Sequence, residues 1–155
     1  MTRDEIIQAL KKNFDIRELV CPDVFKKFGE RSWMFFTTEI LHTLLVLRTD
    51  ILNVPLFCNN WQSGGQLKQR GLRCNLCDEI SRKTFAGELA MSAHANGNAF
   101  DLTSPAMTAE EMRKRIQDNW RKLPYPIRIE KDKSWLHVDC YYDRKDNEMI
   151  RFFKG

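Results

Sequence analysis

Ser92-Ala93-His94-Ala95-Asn96-Gly97-Asn98-Ala99-Phe100-Asp101 is the stretch from which the fold and the chemistry of this chain are read. A histidine followed seven residues later by an aspartate supplies two donor types that Zn²⁺ prefers, imidazole nitrogen and carboxylate oxygen. Gly97 supplies the left-handed turn that folds the chain back between them. From Ala99 to Thr103 the pattern is that of a short strand, with Phe100 and Leu102 entering a core and Ala99 and Asp101 on the opposite face. That alternation sends Asp101 into a cleft.

A second segment completes the donor set. In Trp135-Leu136-His137-Val138-Asp139-Cys140-Tyr141, alternation gives Leu136, Val138 and Cys140 to one face and Trp135, His137, Asp139 and Tyr141 to the other. With the apolar face buried, His137 and Asp139 are expected side by side on the exposed one. A catalytic zinc takes three protein ligands and a water, and the neighbouring His137 and Asp139 could bind metal and handle a proton together. Either segment alone is also what a surface hydrogen-bonding pair looks like; together each supplies what the other lacks.

Outward from these segments the chain reads as α+β, with N-terminal helices packed on a small antiparallel sheet. Thr2-Arg3-Asp4-Glu5 has capping-box spacing and predicts a helix over residues 3–13, and Pro22-Asp23 offers another helix start. Trp33, Phe36, Ile40, Leu44 and Leu47 form one apolar stripe and predict a single long helix over 30–51, in which His42 is an interior or flanking histidine. Residues 53–61 read as a strand and 62–90 as a long irregular loop. Thr108-Ala109-Glu110-Glu111 repeats the capping box ahead of a helix ending before Pro124. Strands are expected at 127–130, 134–142 and 149–153, antiparallel with short turns.

At 155 residues and 43% hydrophobic content the chain suits one domain, residues 1–52 forming its helical part and 53–155 its metal-site core. The net charge is +4, but the 25 Lys and Arg residues are scattered among 21 acids, which disfavours nucleic acid as a partner. The apolar stretch 40–47 is too short to span a bilayer, and Met1-Thr2-Arg3-Asp4-Glu5 has no secretory character, so a cytoplasmic product is expected. Five cysteines in such a chain read as free thiols. Cys74-Asn75-Leu76-Cys77 has half-site spacing for zinc or redox chemistry, but no second pair follows it.

Ser92, His94, Gly97, Ala99 and Asp101 match in full the Ser-x-His-x-x-Gly-x-Ala-x-Asp signature of the zinc D-alanyl-D-alanine carboxypeptidase and L-alanyl-D-glutamate endopeptidase family, which the chain resembles over roughly residues 56–153. The family shares its core fold with the Hedgehog signalling domain, and the His-x-Asp strand looks most like the phage-borne branch. The resemblance implies zinc ligands at His94, Asp101 and His137, Ser92 lining the substrate site, and hydrolysis of peptidoglycan stem peptides. Release of a cytoplasmic product to the cell wall would then fall to a phage lysis system.

The chain departs from that pattern at one position. Many family members carry a glutamate base three residues before the third ligand, where this sequence has Ser134. Asp139 is the replacement expected here, either as base or as a carboxylate orienting His137, and Glu130 is the second choice. For an arginine facing the developing oxyanion, Gly71-Leu72-Arg73 is the nearest match to the family's Gly-Tyr-Arg segment, with Arg70 as alternative. Trp61 and Trp135 serve either as borders of a substrate groove or as core. The competing class is a zinc-containing binding or phage structural module without catalysis.

Overall fold

Side-chain caps begin four of the helices in the computed structural model, which describes residues 1–141 and 148–155. In α1 (Arg3–Leu10) Thr2 and Glu5 exchange both capping-box bonds, and the helix closes in a turn through Asn13. Asp15 and Glu18 do the same for the short α2 (Ile16–Leu19), and α3 (Pro22–Phe28) begins on Pro22, where a missing N–H costs nothing.

The long helix expected over 30–51 is broken. A 3₁₀ segment (Gly29–Phe35) runs into extended backbone at Phe36, α4 (Thr38–Val46) starts afresh, and a π turn (Leu47–Ile51) ends it. Thr37 causes the break: its hydroxyl caps Ile40, and its N–H donates to the Gly97 carbonyl at 3.0 Å. The Arg3 guanidinium donates to the Trp33 and Phe36 carbonyls at 2.9 and 2.8 Å, satisfying acceptors that the break sets free. The apolar stripe is buried as read, because both pieces pack on the same core.

Two further expectations need correction. Residues 53–61 form no strand beyond a bridge between Phe57 and Thr103, and the 62–90 loop contains α5 (Asp78–Phe85). Helix α6 (Ala109–Asp118) takes its capping box from Thr108 and Glu111, and a 3₁₀ turn (Trp120–Lys122) follows it.

Strands β1 (Ala99–Leu102), β2 (Ile127–Glu130), β3 (Leu136–Asp139) and β4 (Ile150–Phe153) form a sheet in the order β1-β3-β2-β4 among the described residues. β3 is antiparallel to both neighbours, whereas β4 pairs with β2 in parallel, against the all-antiparallel expectation. Both edges of β3 are already occupied, so the last strand joins the free edge of β2. The strand read over 134–142 shortens to Leu136–Asp139, and Tyr142 lies outside the described residues.

One sheet face, with Phe100, Leu102, Ile127, Ile129, Leu136 and Val138 all fully buried, packs into a hydrophobic cluster shared with α6 and the N-terminal helices. Each such side chain contributes about 1.5–3 kcal/mol by leaving water. Arg113 of α6 is buried and donates to the carbonyls of Glu130, Lys133 and Trp135 at 3.1, 2.7 and 2.8 Å, fastening the β2–β3 turn. The architecture is mixed helix and sheet, compatible with the expected α+β class. No described helix is long and apolar enough to cross a membrane.

Candidate metal centre

The β1–β3 register sets Asp101 directly opposite His137. His94 reaches them from the turn before β1. There the Ser92 hydroxyl accepts the Ala95 N–H at 3.2 Å and the Ala93 carbonyl accepts the Asn98 N–H at 2.9 Å. Gly97 has φ of 62°, and a Cβ there would overlap the Phe35 carbonyl oxygen, so only glycine lets this turn seat against the break before α4.

One donor atom from each of His94, Asp101 and His137 lies within 4.8 Å of the others. His94 Nε2 stands 3.4 Å and His137 Nδ1 2.8 Å from the same oxygen, Asp101 Oδ1. The His94 Nδ1–H donates to the Gly71 carbonyl at 2.8 Å, which turns Nε2 towards Asp101. Zinc bonds of about 2.0–2.1 Å in a tetrahedron separate N and O donors by about 3.3 Å. The His94–Asp101 spacing already meets that, and the shorter His137–Asp101 contact is a hydrogen bond whose proton a cation would replace. The donor set and its spacing fit a divalent ion. The three side chains keep only 6, 9 and 10% of their surface exposed, so the centre is buried.

Behind the ligands stands a carboxylate the sequence placed in the open. Asp139 is fully buried, and its oxygens accept from His137 Nε2 at 2.8 Å, Arg128 Nε at 2.8 Å, Arg128 Nη2 at 3.0 Å and the Tyr141 N–H at 2.9 Å. The face expected to be exposed is covered because Arg128 stacks over Phe153 and Tyr141, and the Phe153 ring meets His137 at 5.8 Å. Burial pushes the His137 pKa down, but hydrogen bonds to Asp101 and Asp139 outweigh it and raise the value to about 9. Burial likewise opposes ionisation of Asp101 and Asp139, and their bonds to histidine, with Arg128 added for Asp139, hold both carboxyls below their ordinary values.

The arginines take different positions. Arg73 Nη2 approaches Asp101 Oδ2 at 3.5 Å, while its other nitrogens engage Glu79 and the Gln69 carbonyl. Arg70 stacks over Trp135 at 5.4 Å, and its Nη1 is buried without a hydrogen-bond partner among the described residues. The Arg70 carbonyl accepts the Asp101 N–H at 2.8 Å, which ties this loop under the centre. Glu130 falls beside His137 when the β2–β3 register is continued by one residue, and its carboxylate pairs with Lys133 at 3.4 Å.

Other residues lie elsewhere. Trp61 donates its indole N–H to the Val20 carbonyl, and His42 packs edge-on against Tyr125. A groove of about 710 Å³ is lined by Thr103, Met107, Arg113, Lys133 and Ser134 among others, beyond the end of β1, and His94, Asp101 and His137 are not in its wall. No protein-family model, curated protein or solved structure matches the chain.

Sequence reasoning missed Arg128, Glu79 and Cys21. Arg128 alternates with Ile127 and Ile129, so its face was legible, but its partner depended on strand register. Cys21 lies 53 residues before Cys74, yet its sulfur is 3.5 Å from that of Cys74.

Proposed function

We propose that the chain is a zinc-dependent peptidase that hydrolyses peptide bonds in peptidoglycan stem peptides, built on the Hedgehog-like core that its signature resembles. The observation that carries this is the convergence of His94, Asp101 and His137, which bring one donor atom each within 4.8 Å of the others. Zinc bound there would supply Lewis acidity, activating a water and polarising the scissile carbonyl.

The protein's own groups supply the rest. Asp139 accepts from His137 Nε2 and so would leave Nδ1 as the atom that gives up its proton to a bound ion, while Arg128 holds Asp139 in place. With its oxygens engaged by protein donors, Asp139 takes the orienting role, and the general base passes to Glu130 on the same sheet face. Arg70 offers an unpaired donor for the carbonyl oxygen or a peptide carboxylate, with Trp135 as the surface it rests on. Arg73 partly neutralises Asp101, and Ser92 shapes the turn that presents His94. Ser134, standing where the family carries its glutamate, favours a second reading: a zinc-holding phage module without hydrolysis.

A muropeptide digest followed by mass spectrometry decides between them. The zinc-loaded protein is expected to release cleaved stem peptides, a chelator to stop it, and His94→Ala to lose both metal and turnover. Stoichiometric zinc with no cleavage of any stem peptide selects the non-catalytic module. A protein that binds no zinc at this centre refutes both.

A further inference from the structure

Three sulfurs from two distant parts of the chain meet just beyond Arg73 in the sequence. Cys21 Sγ lies 3.5 Å from Cys74 Sγ, which lies 3.9 Å from Cys77 Sγ, and all three fall within 4.8 Å of one another. Zinc–sulfur bonds of about 2.3 Å in a tetrahedron separate sulfurs by about 3.8 Å. A disulfide needs about 2.05 Å, and all three residues are free thiols here. Cys21 and Cys77 are buried and Cys74 is half-buried.

The local backbone supports a built arrangement. Cys77 occupies the cap position of α5 and Cys21 that of α3, places usually given to a Ser, Thr, Asp or Asn that caps; neither thiol makes a capping bond. The Cys77 N–H donates to the Cys74 carbonyl at 3.1 Å, the tight turn that lets a Cys-x-x-Cys pair aim both sulfurs at one point. A bridge between Val20 and Leu72, with the Leu72 N–H on the Leu19 carbonyl at 2.9 Å, brings Cys21 to that pair. Gly71 permits the approach, since a Cβ there would overlap the Leu19 carbonyl oxygen.

We infer that Cys21, Cys74 and Cys77 form a second, thiolate zinc site, separate from the His94 centre, with solvent taking the fourth position on the side where Cys74 is half exposed. The ion clamps the loop between Gln69 and Cys77 to the start of α3. That loop delivers the Gly71 carbonyl to His94 and Arg73 to Asp101, so the clamp also steadies the other centre. The site is independent of any peptidase activity.

Cobalt(II) substitution tests it on the full chain. Thiolate-to-cobalt charge-transfer bands and intense visible ligand-field bands are expected in the wild-type protein, and they persist in the His94→Ala/His137→Ala variant, which binds one ion where the wild type binds two. Cys74→Ser in that double variant abolishes the bands. A cobalt-loaded protein without thiolate charge transfer overturns the inference, as does a Cys21–Cys74 disulfide found by peptide mapping of the purified native protein. Alkylation of Cys74 in the wild type needs no cysteine variant: zinc is expected to slow it at least tenfold and a chelator to restore it, and no effect of either overturns the site. Loss of the His94 centre removes the ion without thiolate bands, so failure of one site is distinguishable from failure of the other.

Discussion

Asp139→Asn separates an orienting carboxylate from a catalytic base. In the native site Asp139 accepts four hydrogen bonds, two of them from Arg128 and one from His137 Nε2. An asparagine keeps one acceptor oxygen. If that oxygen stays with Arg128 Nε and Tyr141 N–H, the amide NH₂ faces His137 Nε2–H, and two donors collide. The imidazole relieves this by moving its proton to Nδ1, the atom that faces Asp101, where a metal would bind. Loss of such a supporting carboxylate costs about 10- to 100-fold in metal affinity, or roughly 1.4–2.7 kcal/mol.

The loss has a pH signature. Without Asp139 the proton on His137 is also held less tightly, which offsets part of the penalty wherever proton and metal compete. Zinc affinity from chelator-dye competition should therefore fall about tenfold at pH 7 and nearer 100-fold at pH 9. Turnover at saturating zinc should stay within about tenfold of wild type. Unchanged zinc affinity with turnover reduced by roughly 100-fold or more would refute the orienting role and make Asp139 the base.

Proton competition predicts more for the native chain: His137 stays protonated up to about pH 9, so zinc affinity should rise about tenfold per pH unit from 6.5 to 9. Calorimetry in buffers of different ionisation enthalpy should show about one proton released per zinc at the His94 centre. Because the folded pKa of His137 is raised, its stabilisation of the metal-free chain is complete below about pH 6.5 and is lost as pH passes through about 9; melting of the chelated protein should follow that sign. Gly97→Ala combines a left-handed φ with overlap on a backbone carbonyl, about 2–5 kcal/mol, and should lower the thermal midpoint by about 5–15 °C. An unchanged midpoint would mean the turn is seated differently. Arg113→Met strands three carbonyl acceptors and should cost about 3 kcal/mol in denaturant unfolding, with faster exchange of the amides in the β2–β3 turn; a loss under about 0.5 kcal/mol would show the fastening is dispensable.

The sequence by itself determined what is local. Capping boxes at Thr2 and Thr108, the alternation that buries Phe100, Leu102, Leu136 and Val138, and the turn at Gly97 depend on neighbours within a few positions, and all were legible. Donor chemistry and spacing singled out the two segments, and the resemblance to the family signature picked the ligand trio from them. Tertiary structure decided everything set by register and packing. It broke the helix at Thr37, because Gly97 and Arg3 bond there from elsewhere in the chain, and it placed β4 parallel to β2. It also buried Asp139 under Arg128 and brought Cys21 to Cys74. Periodicity reports which face is apolar, and no local pattern encodes which distant group will come to cover the other one.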